Sequence, residues 1–165
     1  MTISLRTMLI LTFVMLVIST QVLAGSSDDN CDPKMGITFM NWRNWTPVTV
    51  KPVVSEGHSN NWVGVFVNKI AKAKYLSAGS PYPVCAKIVK PIYLDETGTK
   101  VLKLTVMLKM PPGYDPENGD WWYASYDKTG EFSWQQGKLS GCIPCHKQAT
   151  DTDYLFSREV RKAAK

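Results

Sequence analysis

Histidine is scarce: the chain of 165 residues has two, His58 and His146. A structural zinc site needs further Cys or His at ligand spacing, and outside the cluster at Cys142–His146 only His58 remains, so zinc is set aside. A dense run of one charge is also lacking. The formal charge of +5 is spread over lysines such as Lys69, Lys72, Lys74, Lys87, Lys90, Lys103 and Lys109. Nucleic-acid binding would require a clustered basic stripe or a recognisable module, and neither is present. A mildly basic, solvated surface instead suits an acidic redox partner. There is no internal repeat and no low-complexity tract, which points away from repeat architectures and long disordered stretches.

What the chain does have is ordinary globular composition, 44% hydrophobic and 20% charged, with six Trp. That aromatic mass is enough to bury a large flat cofactor. At the N-terminus Arg6, an apolar run from Met8 to Ile18 and Val22-Leu23-Ala24 before Gly25 have the parts of a secretory signal peptide, residues 1–24, cleaved after Ala24. The rival reading, an uncleaved anchor, would need roughly 18 or more apolar residues, and this run is shorter. No lipidation cysteine follows the cut directly, since Cys31 lies further on. The expected location is therefore the periplasm or an equivalent extracytoplasmic compartment. Residues 25–40 read as an N-terminal tether and 41–165 as one domain.

Within the domain, Val63, Phe66, Ile70 and Ala73 fall at helical spacing, so Asn60–Leu76 is predicted to be an amphipathic helix ending near Gly79 and Pro81. Val84–Leu94 and Lys100–Met110 are β-rich runs joined by Asp95-Glu96-Thr97-Gly98-Thr99, a loop of hairpin length. In the second run Leu102, Leu104, Val106, Leu108 and Met110 alternate with Val101, Lys103, Thr105, Met107 and Lys109, giving one apolar and one mixed face. Asp120–Asp127 is a third, aromatic strand, and a turn at Asp127–Gly130 leads into Glu131–Gln135. A final helix is expected to begin near Asp151–Asp153 and to carry Tyr154, Leu155 and Val160 inward. The fold class is α+β: an antiparallel sheet with a few packed helices and a single c-type haem.

The haem enters through Cys142-Ile143-Pro144-Cys145-His146, a C-x-x-C-H sequence. Two thiols add to the two haem vinyl groups while the adjacent imidazole ligates iron on the same side, so the macrocycle is fixed at three points. A thioredoxin-like redox pair would sit at a helix start in a βαβ setting, which these hairpins do not offer. Cys142, Cys145 and His146 are thus the cofactor-binding residues, His146 is the proximal iron ligand, and haem c (one, covalent) is the cofactor. Other distal candidates are Met107 and Met110, read as core by their strand periodicity, and His58, read as a surface histidine. Trp121, Trp122, Tyr123, Tyr126 and Phe156 are aromatic core residues available to line a haem pocket.

Several segments resemble the cytochrome P-460 family, which includes the beta-type cytochromes c-prime. They are Asn41-Trp42-Arg43-Asn44-Trp45, Asn68 followed by Ala71, Tyr82-Pro83 opening the strand that ends Val89-Lys90, Gly119-Asp120-Trp121-Trp122-Tyr123-Ala124, the haem motif, and Thr152-Asp153-Tyr154-Leu155-Phe156. The resemblance, from about Trp42 to Glu159, implies a mostly antiparallel sheet and a high-spin-capable haem; family members bind nitric oxide or, in some cases, oxidise hydroxylamine. Lys90 falls where hydroxylamine-oxidising members carry a lysine cross-linked to the porphyrin edge. Those members have Glu after it and Gly five residues before it, where this chain has Pro91 and Cys85, so Lys90 is read as a strand-face surface lysine.

Cys31 and Cys85 leave two alternatives. In an oxidising compartment the pair forms a structural disulfide worth about 2–4 kcal/mol. Alternatively Cys85 is a thiolate iron ligand opposite His146, a reading prompted by similarity in size and layout to small monohaem cytochromes of anaerobic ammonium oxidisers; it would lower the iron potential. Strict alternation puts Cys85 and Lys90 on opposite strand faces. The expected function is binding of a small diatomic ligand, NO or CO, with nitric oxide foremost. Electron carriage and hydroxylamine or nitric oxide oxidation are the alternatives, and the balance leans away from an enzyme. A homodimer, or a heterodimer with a related monohaem subunit, is expected because family members often pair.

Overall fold

The computed structural model describes residues 31–32, 37–77 and 81–157. The signal peptide and the first part of the tether lie outside the described residues. Eight strands, β1 Thr46–Pro47, β2 Val53–Ser55, β3 Asn61–Val63, β4 Phe66–Val67, β5 Lys87–Tyr93, β6 Val101–Lys109, β7 Trp121–Tyr126 and β8 Ser133–Gly137, form one antiparallel sheet with two helices, α1 Lys69–Ser77 and α2 Ile143–His146. The strand order is β1-β4-β5-β6-β7-β8, with β3 also pairing β5 and β2 pairing β3. This is the α+β architecture expected from the hairpin signals.

The β5–β6 hairpin closes because the Asp95 carboxylate accepts hydrogen bonds from Thr97 Oγ1, from Thr99 N at 3.1 Å and from Lys100 N at 2.6 Å, while Gly98 takes φ 71°. Two rungs across the sheet decide its chemistry. Ile88, Met107 and Tyr123 are register partners, as are Lys90, Thr105 and Ser125. These share a face, because residues two apart along a strand point the same way. On the other face Val89, Val106 and Ala124 join Leu104, Leu108, Trp122 and Tyr126 in an apolar core. Ile37 and Phe39, from the segment read as a tether, are buried in that core. The mixed face of β6 therefore faces the second cluster, with Met107 packed among Tyr75, Tyr82, Ile88, Trp121, Tyr123 and Leu155.

Two helix expectations fail. Asn60–Leu76 is not one helix: β3 and β4 occupy its first part, and only Lys69–Ser77 is helical. Val63 and Phe66 fit helical spacing but satisfy their backbones by pairing with Ile92 and Val89 on β5. The helix starts after Asn68, whose Oδ1 accepts from Ala71 N and from Lys87 N, each at 3.0 Å, and whose Nδ2 donates to Cys85 O. The buried face of α1 is Ala71 and Tyr75, with Ala73 exposed. At the C-terminal end, Asp153 does not cap a following helix. Lys147–Thr152 is a 3-10 segment that Asp153 terminates at φ 53°. Val160 lies outside the described residues.

Candidate functional site

Cys142, Cys145 and His146 are brought together by α2, a single helical turn with Pro144 in its first turn, where a missing N–H is harmless. Cys142 N and Ile143 N donate to Leu139 O at 2.9 and 3.1 Å, and His146 N donates to Cys142 O at 3.2 Å. Residues three and four apart share a helix side, so this turn offers both thiols and the imidazole to one space. Neither thiol is in a disulfide; Cys142 is half-buried and Cys145 exposed.

His146 is buried, and its Nδ1 donates to the Tyr154 carbonyl at 2.6 Å. A carbonyl can only accept, so the Nδ1–H tautomer is fixed and the Nε2 lone pair is left for a ligand-binding role. Burial, then Lys90, push its pKa down to about 3, which keeps the imidazole neutral. Tyr123 and Phe156 flank the ring, with centroids 5.4 and 5.6 Å away.

The space is a cavity of about 830 Å³, within the roughly 300–1,000 Å³ of small-molecule and cofactor sites. Its walls include Cys142, Cys145, His146, the apolar Val63, Val65, Ile88, Met107, Leu155 and Phe156, and the polar Glu56, His58, Lys90, Lys103, Thr105 and Gln135. The polar side chains of the mixed β6 face are therefore not solvated decoration; they line the site.

Two readings change as a result. Lys90 is not a surface lysine but stands in the cavity wall, its Nζ 5.9 Å from the Phe156 ring centroid. Burial lowers its pKa to about 8 against the opposing pull of Cys145 and Cys142. His58 is likewise in the wall, lowered to about 4 by burial, then by Lys90 and Lys103. Met107 faces the cavity, whereas Met110 packs in the opposite core.

Cys85 is joined to Cys31 in a disulfide. Of the two readings left open for this cysteine the structure has the staple, and the sulfur is not free to ligate iron. The backbone explains why. Cys85 sits at φ 67° in a turn ahead of β5, its N donates to Lys109 O, and Cys31 packs on the core away from the cavity.

Sequence reasoning passed over Lys103, Gln135 and the buried pair Lys109–Asp153, joined at 2.7 Å. Lys103 and Lys109 did carry a signal: they are charges on the mixed face of a strand whose other face is apolar.

The sequence model of the Cytochrome P460 family matches residues 40–157. The chain belongs to the cytochrome P460 family. A comparison with curated proteins gave no match. Membership of the cytochrome P460 family implies a haem cofactor, and the residues present fit one. Tyr123 contributes a buried hydroxyl with no hydrogen-bond partner among the described residues, in a wall that is otherwise largely apolar. Cys142 and Cys145 would hold the macrocycle, His146 Nε2 its iron, and Lys90 and Lys103 supply charge of the sign that haem carboxylates require.

Proposed function

We propose that this cytochrome P460 family member is an exported monohaem c-type cytochrome, its haem bound covalently by Cys142 and Cys145 and ligated by His146, and that it binds nitric oxide. The observation that carries this reading is the meeting of two unpaired thiols and an imidazole with a free Nε2 on one cavity of cofactor size. When bound, the iron supplies a site for a small diatomic ligand. The protein's part is to hold His146 neutral and in one tautomer, to surround the site with apolar side chains, and to exclude a cysteine from it by tying Cys85 to Cys31. The Arg6 to Ala24 segment supports export, which places the protein in the periplasm or an equivalent compartment where such a disulfide persists. Exposed Phe132 and Trp134 beside the edge strand β8 support pairing with a second copy or a related monohaem subunit.

The test is titration of the ferric and ferrous protein with nitric oxide, followed by optical and EPR spectroscopy. A stoichiometric nitrosyl species is expected in both states. A six-coordinate low-spin protein that takes up no nitric oxide contradicts the reading and favours an electron carrier. One observation favours a second reading, the hydroxylamine or nitric oxide oxidoreductase: the Lys90 amine lies in the cavity. Peptide mapping decides it, since that reading requires haem joined to the peptide bearing Lys90 as well as to Cys142 and Cys145.

A further inference from the structure

We infer that the buried Lys109–Asp153 ion pair is a positioning device for the iron ligand, fixing the backbone of Asp153 and Tyr154 so that the Tyr154 carbonyl stays against His146 Nδ1. This rests on the haem reading above.

Lys109 ends β6, one rung beyond Met107 on the cavity face, paired with Trp121. Its Nζ donates to Asp153 Oδ2 at 2.7 Å, to Asp153 Oδ1 at 2.8 Å and to Gly119 O at 2.8 Å, and stands 5.0 Å from the Trp121 ring centroid. All three ammonium protons thus have acceptors. Asp153 is held at both ends: its Oδ2 accepts from Tyr82 N at 2.7 Å and its carbonyl accepts from Trp121 Nε1 at 2.9 Å.

This restraint acts on a strained backbone. Asp153 and Tyr154 take φ 53° and 66° in succession. An aromatic residue in the left-handed region is an outlier and persists only where its surroundings over-determine it. Tyr154 N donates to Ala149 O at 2.8 Å, and the Tyr154 ring lies so close over Gly119 that a Cβ there would fall 2.3 Å from Cε2. Gly119 is the same residue whose carbonyl accepts from Lys109. One ammonium therefore ties the end of β6, the loop before β7 and the C-terminal loop to each other, and the last of these delivers the acceptor for His146.

A buried ion pair is weak support for stability, because desolvation offsets much of its attraction. Its geometry is what matters here. The strength of the Nδ1–H to carbonyl bond sets how basic Nε2 is, and hence how strongly it donates to iron.

The experiment compares wild type with Lys109→Met/Asp153→Asn in the haem-loaded protein. Asn tolerates left-handed φ and keeps an acceptor for Tyr82 N; Met keeps the lysine stem. The readouts are the iron–histidine stretching band of the ferrous protein by resonance Raman, the reduction potential, and the melting temperature. We expect the band to shift down and broaden and the potential to rise. An unchanged band and potential, whatever the melting temperature, overturns the inference. If the double variant fails to accumulate, Asp153→Asn alone decides the matter by the same two readouts. A wild type without covalent haem overturns the haem reading itself, whereas a loaded wild type with an unresponsive variant overturns the positioning role alone.

Discussion

Cys85 and Lys90 flank the start and middle of one strand run and end on opposite sides of the sheet, as alternation requires. Lys90 lines the cavity, and Cys85 is stapled to Cys31. The consequence is testable residue by residue. The pair closes a loop with a sequence separation of 54, for which chain entropy predicts about 4 kcal/mol. Cys31→Ser/Cys85→Ser should lower stability by about 2–4 kcal/mol in denaturant melts while leaving the haem spectrum unaltered. A low-spin to high-spin change in the ferric spectrum on Cys85→Ser would contradict this and return the thiolate to the iron. What the sequence could say of these residues was their face, not their surroundings. C-x-x-C-H is legible because its spacing is its chemistry, whereas His58 and Lys90 are ordinary polar residues until tertiary packing turns them into a cavity. Neither carries a local signal that separates a solvated side chain from a desolvated one.

At the level of elements the hairpins were legible, because alternation and a Gly-containing polar loop are local properties of β5, β6 and their connection. The predicted helix over 60–76 was not, since Val63 and Phe66 have helical spacing and yet lie in strands of two or three residues too short to show alternation. Asp153 was misread for a related reason: an aspartate before an apolar run resembles a cap, but its partner Lys109 is distant in sequence. β8 belongs at this scale too. It is an edge of the sheet, and Phe132 and Trp134 beside and within it are 63% and 54% exposed. Unpaired edge groups next to large apolar side chains favour association. Light scattering at micromolar concentration should give a dimer mass, and Trp134→Glu should reduce it to the monomer. A wild-type monomer under those conditions, with no co-purifying haem protein, would rule the pairing out.

For the whole molecule, the sheet acts as a partition. One face is sealed by Phe39, Trp42, Trp122 and Tyr126; the other is left mixed and is closed over by the C-terminal segment that carries α2, Tyr154 and Phe156. The arrangement gives the chain one wall rigid enough to hold a fixed imidazole and another open enough for a cofactor. The central claim is that Cys142 and Cys145 bind that cofactor covalently. Mass spectrometry of the mature protein after acid-acetone extraction tests it most directly. The account predicts the polypeptide plus one haem, localised by peptide mapping to Cys142–His146, whereas loss of all haem into the extract, or a mass with no haem, would contradict it.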